Sequence, residues 1–240
     1  WDGTLNDILG QHVTVDDALA AMNGATAGPV PEGNVGGGTG MICHRFKGGI
    51  GTSSRAVEVD GAPYTVGVLV QCNYGSREQL RIAGVPVGRE IPDLLPTRPG
   101  PDGIELDADD GADREGSIIV VVGTDAPLLP HQLKRVARRV SLGLGRNGST
   151  SGNGSGDIFV AFSTANREAA RERDGRSSLA IVANERLNPI FGATVEATEE
   201  AVVNAMVAAE TMTGADAVTV HRLPHERLRE ILRTYNRLSR

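Results

Sequence analysis

At 240 residues with 40% hydrophobic content, the chain can bury a substantial core as one large domain or two small ones. A net charge of −6 and 3% aromatic residues argue against a nucleic-acid surface, which needs basic patches and stacking rings. No run of roughly 18 apolar residues is present to span a membrane. The chain begins at Trp1 without Met or a charged-apolar leader, which reads as a trimmed or partial chain and leaves export undecided. Thr14, with an acid three residues on at Asp17, reads as a capping box opening an Ala-rich helix to about Met22. Residues 24–54 are too glycine-dense for a helix. Tyr64 to Cys72 reads as a buried strand, residues 84–116 as a long loop, and Ser117 to Gly123 as a second strand. Pro130 suits the first turn of a helix whose apolar positions Leu133, Val136, Ala137 and Val140 carry it to about Leu142. A Gly/Ser/Asn loop over 143–156 should precede the strand DIFVAFST, with a further strand over Ser178 to Ala183. Val195 to Met212 reads as the longest helix, closed by Gly214, before a short VTV strand and an Arg-rich helix at Pro224 whose charged face reads as solvated surface. Cys43 and Cys72 read as buried free thiols, with a disulfide as the alternative.

Several site signals fail on context. The run Gly143-Leu144-Gly145-Arg146-Asn147-Gly148 follows a helix, whereas a dinucleotide fingerprint must follow a strand. GNVGGGTG lacks the Gly-Lys-Ser/Thr ending of a phosphate loop. His221 and His225 straddle Pro224 with no HExxH glutamate, and Cys43 and His44 are adjacent, so a zinc site is not expected. No GxSxG elbow exists, and none of the five histidines sits in a suggestive context.

What remains is a serine at a boundary. From Pro101 to Gly116 the chain carries seven acids and one Arg, and then Ser117 opens Ile118-Ile119-Val120-Val121-Val122. A serine hydroxyl behind a glycine can attack the preceding carbonyl, because glycine lets the backbone reach the strained geometry required. Hydrolysis of the resulting ester would leave Ser117 as a new N-terminus. Its α-amine, of ordinary pKa ~7.7–8.0, could serve as the general base without a histidine. The competing reading is that Gly-Ser merely opens a strand.

The segments EGSIIVVVGTDAPLLPHQLKRVARR, GLGRNGSTSGNGSGDIFVAFSTAN, GTGMICHRFKGGIGTSSR and VLVQCNYG together resemble the β-peptidyl aminopeptidase family, which includes the L-aminopeptidase/D-amidase/D-esterase enzymes. The likeness runs over essentially the whole chain. It implies an α/β (α+β) fold, a four-layer αββα sandwich topologically distinct from the N-terminal-nucleophile hydrolases it converges with. It also implies a single catalytic domain, self-cleaved between Gly116 and Ser117 into residues 1–116 (the C-terminal part of an α chain) and 117–240 (a β chain). The acidic loop would be soluble and mobile, so that its end can leave the site. By the same resemblance Ser117 is the nucleophile, Asn73 the oxyanion donor, and Ser155 and Asp157 the partners of the Ser117 amine. Trp1 falls in the substrate-pocket segment, where some members carry Tyr, and an indole N–H can donate but not accept. The implied activity is a hydrolase, a serine aminopeptidase acting on peptides, amides or esters. No metal or organic cofactor is implied. The implied partners are a small substrate and a homo-oligomer, a tetramer of αβ units, without nucleic acid or membrane. The expected compartment is cytoplasmic, with a periplasmic one open. The alternatives are an ornithine-acetyltransferase-like acyl transferase, which uses threonine, and a non-catalytic small-ligand binding module.

Overall fold

The structure is a computed structural model that describes residues 1–100, 105–107, 116–168, 175 and 178–238. The helices in chain order are α1 (Val15–Asn23), α2 (Val87–Glu90), α3 (Pro130–Ala137), α4 (Val140–Arg146), α5 (Asn188–Val207) and α6 (His225–Thr234). The strands are β1 (Ile42–Cys43), β2 (Phe46–Lys47), β3 (Gly49–Val59), β4 (Ala62–Asn73), β5 (Thr97–Pro99), β6 (Glu105–Asp107), β7 (Ser117–Thr124), β8 (Ile158–Ser163), β9 (Met212–Thr213) and β10 (Thr219–Val220).

The main sheet has four strands in the order β3-β4-β7-β8, and a smaller one runs β6-β5-β10-β9. β3 and β4 form a hairpin whose Val59–Ala62 pair is joined by Asp60 and Gly61, both at positive φ (52° and 81°). That is the Asp-Gly turn whose twist matches the strands it connects. β7 runs antiparallel to β4 and parallel to β8, and the crossover from β7 to β8 carries α3 and α4. Val66, Val68, Val70 and Cys72 of β4 and Ile118, Val120 and Val122 of β7 alternate onto one face and are buried there. α5 brings Ala197, Ala201, Ala205 and Met206 into the same core cluster. On the other face Ile119, Ile158, Val160 and Phe162 are 39%, 53%, 46% and 46% exposed. One face is thus a core and the other an open apolar floor. Among the described residues no helix is long and apolar enough to cross a membrane.

Several expectations are corrected. α3 stops at Ala137 and α4 continues to Arg146, through the stretch expected to be a loop. A Cβ at Gly143 would stand 2.6 Å from Thr198 Cβ, so glycine here serves the close packing of α4 on α5. α5 begins at Asn188, with a proline in its first turn, and ends at Val207; its cap is Ala208, not Gly214. Residues 178–183 form no strand. Ala180 is held instead through its N–H and C=O by the Asn166 side chain, and Val182 N–H donates to Pro127 O. The loop read over 84–116 contains α2, β5 and β6, while its residues 101–104 and 108–115, on which the expected mobility falls, lie outside the described residues. Pro224 caps α6 from outside rather than opening it. α1 has its capping box, Thr14 Oγ1 accepting from Asp17 N–H and Asp17 from Thr14 N–H, yet buries none of its residues. The two thiols are joined: Cys43 and Cys72 form a disulfide with Cα atoms 5.6 Å apart.

Candidate active site

The register of the main sheet brings the site together. Ser117, first residue of β7, lies directly opposite Asn73, last residue of β4, and both belong to the open face. Gly116 precedes it against the same strand end. A Cβ there would fall 1.9 Å from Asn73 O and 3.3 Å from Asn73 Nδ2, so only glycine lets the chain approach the asparagine this closely.

The loop before β8 supplies the third wall. Gly156 N–H donates to Ser117 Oγ at 2.8 Å, which fixes the oxygen through a lone pair rather than through its proton. Ser155 Oγ–H donates to Asp157 Oδ1 at 2.6 Å and lies 3.3 Å from Gly116 O, the carbonyl that a Ser117 attack would polarise. Asp157 Oδ1 also accepts from Ile118 N–H at 3.1 Å. Ser155 and Asp157 are therefore beside the start of β7, bonded to its flanking peptides and to each other. The hydrogen bonds made by Ser117, Asn73, Ser155 and Asp157 include no histidine.

Asn73 is 8% exposed, and both ends of its amide are assigned. Oδ1 accepts from Ile42 N–H at 2.9 Å, and Nδ2 donates to Trp1 O at 2.7 Å. An amide nitrogen carries two N–H donors, so one further donor belongs to this group. Trp1 reaches the site through its main chain; its side chain is 61% exposed and folds over Gly3.

Behind Asn73 lies a layer the sequence reading missed. β1 and β2 form a hairpin, Cys43 pairing with Phe46 across His44 and Arg45, which both have positive φ (48° and 61°). Two successive non-glycine residues at positive φ are uncommon, and the turn is held from outside. Arg77, itself buried, does so: its Nε and Nη2 donate to His44 O and Arg45 O, and its guanidinium sits 3.3 Å from the centre of the Phe46 ring. Lys47 is fully buried, and its Nζ donates to Met41 O (2.7 Å), Gly48 O (2.9 Å) and Gly38 O (3.2 Å). Burial lowers the Lys47 pKa to about 8, which leaves an ammonium at neutral pH. Burial, only partly opposed by the bond to Ser76 O, lowers His44 to about 4. Burial and then the nearby Asp157 charge raise the Tyr74 phenol, which stays protonated. The signal in the sequence was the single lysine in the apolar, glycine-rich run GMICHRFKGG, where no solvated face is available to it.

The sequence profile of peptidase family S58 matches residues 1–220. The chain is 54% identical over 240 residues to β-peptidyl aminopeptidase BapA of Sphingosinicella microcystinivorans, and 50% identical over 236 to that of Sphingosinicella xenopeptidilytica. Those alignments cover 100% and 97% of this chain but 61% and 58% of the relatives, so the chain spans about three fifths of their length. Among solved structures it matches the L-aminopeptidase D-Ala-esterase/amidase of Ochrobactrum anthropi with a TM-score of 0.87 and 50% identity, over 100% of this chain and 62% of that one. A Burkholderia sp. β-aminopeptidase matches with a TM-score of 0.83 and 44% identity, over 98% and 62%. The Ochrobactrum structure is described as a new variant among the Ntn hydrolase fold, in agreement with the αββα class expected from the resemblance.

Proposed function

Because this chain belongs to peptidase family S58, we propose that it is the catalytic part of a serine aminopeptidase that cuts itself between Gly116 and Ser117. The observation that carries this reading is the convergence of Gly116, Ser117, Asn73, Ser155 and Asp157 on one strand end, with no histidine among their bonds. In self-cleavage Ser117 Oγ adds to the Gly116 carbonyl carbon and the C–N bond breaks. The Gly116 acyl group passes to oxygen, and the nitrogen leaves as the Ser117 amine. Water then hydrolyses the ester, giving a Gly116 carboxylate and a free N-terminal serine.

In turnover the Ser117 amine takes the hydroxyl proton as Oγ attacks the substrate carbonyl and returns it to the departing amine or alcohol. The acyl group stays on Oγ until water, deprotonated by the same amine, hydrolyses the ester. The remaining Asn73 N–H stabilises the alkoxide that develops on the substrate carbonyl. Ser155 and Asp157 hold the new amine in place. Trp1, whose carbonyl accepts from Asn73 Nδ2, would offer its exposed indole as an apolar surface to a substrate side chain. The relatives' names cover β-peptidyl, L-amino acid and D-alanine substrates. The substrate class we assign is therefore a small peptide, amide or ester with a free N-terminal amine. A homo-oligomer, a tetramer of αβ units, is part of the reading and is tested by light scattering. The disulfide favours an oxidising compartment over a cytoplasmic one, because intracellular reductants keep thiols apart.

The test is the intact mass of the full-length protein together with hydrolysis of an aminoacyl anilide. Two fragments parting at Gly116, the second beginning at Ser117, are expected, and Ser117→Ala should leave one folded, inactive chain. Two fragments from the Ser117→Ala protein would mean that an outside protease cuts it, and the proposal would fail.

A further inference from the structure

The buried Lys47 ammonium has no role in the chemistry above, and burying a cation without a carboxylate partner is costly. Its strongest contact, at 2.7 Å, is to Met41 O. Met41 C=O and Ile42 N–H are the two ends of one planar peptide unit. That Ile42 N–H donates to Asn73 Oδ1, and the Asn73 amide presents Nδ2 to the site. An unbroken series of dipoles thus runs from the ammonium through one peptide group and one side-chain amide to the position of the developing oxyanion.

We propose that Lys47 is a positioning residue for the oxyanion donor: through the Met41–Ile42 peptide it fixes which way the Asn73 amide faces and polarises its N–H toward the substrate carbonyl. This rests on the reading of Asn73 as that donor. Amide orientation matters because the terminal torsion of asparagine is broad and two-fold. The flipped amide would aim a carbonyl oxygen at the growing negative charge. Series of hydrogen bonds in a low-dielectric interior also strengthen one another, so a charge at the far end increases the acidity of the last N–H.

Two other features immobilise the same peptide. Gly48 N–H donates to Met41 O at 2.9 Å. The Cys43–Cys72 disulfide joins the residue after Ile42 to the residue before Asn73, a covalent tie directly beside the hydrogen bond.

The test uses the full-length protein, with turnover counted per mole of chain cut at Gly116. Lys47→Met keeps an unbranched side chain one atom shorter and removes the charge. It should lower kcat about tenfold or more while changing KM less than about twofold, and Lys47→Arg should recover part of the loss. In an Asn73→Ala background, Lys47→Met should lower kcat no further, because its route to the oxyanion is already gone. Equal loss in both backgrounds would reduce Lys47 to a structural residue and overturn the inference. Should Lys47→Met fail to fold, the pair Cys43→Val and Cys72→Ala loosens the same peptide from the other side. It should show the same kcat loss and the same silence with Asn73→Ala, and an unaffected kcat there would equally refute it. An Asn73→Ala protein with undiminished kcat would instead sink the oxyanion-donor reading on which the inference stands.

Discussion

Ser117 and Asn73 face each other across two strands, and that pairing makes each separately testable. Asn73→Ala removes the N–H we assign to the developing oxyanion, so kcat should drop by about 10²–10³ with KM little changed. Steady-state kinetics on the processed fraction checks this. Gly116→Ala places a methyl where the Asn73 carbonyl already stands, 1.9 Å away. The start of β7 must then shift, and self-cleavage should slow by on the order of 10²-fold, the cost of about an ångström of misplacement. A time course of intact mass after expression reads it. Asp157→Asn keeps the shape of the side chain and removes its charge. A carboxylate near the Ser117 amine stabilises its ammonium form, so the variant's acid limb in kcat/KM should move to lower pH while its maximal rate falls. A limb that stays in place would remove Asp157 from the neighbourhood of the base.

At the scale of the element, the β1–β2 hairpin connects site and stability. His44, buried with its pKa lowered to about 4, is neutral in the fold but takes up a proton in the unfolded chain at its ordinary 6.5. The stability this represents is fully present above pH 6.5 and is lost as pH falls toward 4, amounting to roughly 3 kcal/mol. Urea titrations at pH 7 and pH 4.5 should show a steeper acid loss for the wild type than for His44→Gln. β4 and β7 were legible because apolar runs such as Val66 to Val70 and Ile118 to Val122 have few alternatives to a buried sheet, whereas β3 (Gly49–Val59), which starts inside the glycine-rich run, was not. The capping box at Thr14 was legible because its chemistry is local. What escaped notice depended on partners distant in sequence. Gly143 looks like a loop residue until α5 packs against it, and residues 178–183 look like a strand until Asn166 takes the hydrogen bonds of Ala180. The disulfide needed the hairpin's placement against β4, which no spacing of two cysteines reveals. Ser117 behind Gly116 stood out from the residues themselves, and Asn73, Ser155 and Asp157 came from a resemblance; the five cluster, whereas the link between Lys47 and Ile42, both inside a resembling segment, needed coordinates.

For the molecule as a whole, the main sheet separates structure from chemistry: one face is core, and the other holds Ser117 and Asn73 beside the open apolar residues of β7 and β8. β4 and β7 are paired from Val66–Thr124 to Asn73–Ser117 at the centre of that sheet, and the proposed scissile bond lies on the only covalent path between them. Cutting it turns two neighbouring strands of one polypeptide into an interface between two. Before the cut they find each other at the effective concentration of a tether; afterwards they must meet by diffusion. The tethered search is then open to the chain only before the cut. Denatured mature protein should regain activity with a yield that rises with protein concentration, whereas the uncut Ser117→Ala chain should regain its circular dichroism at a rate independent of concentration.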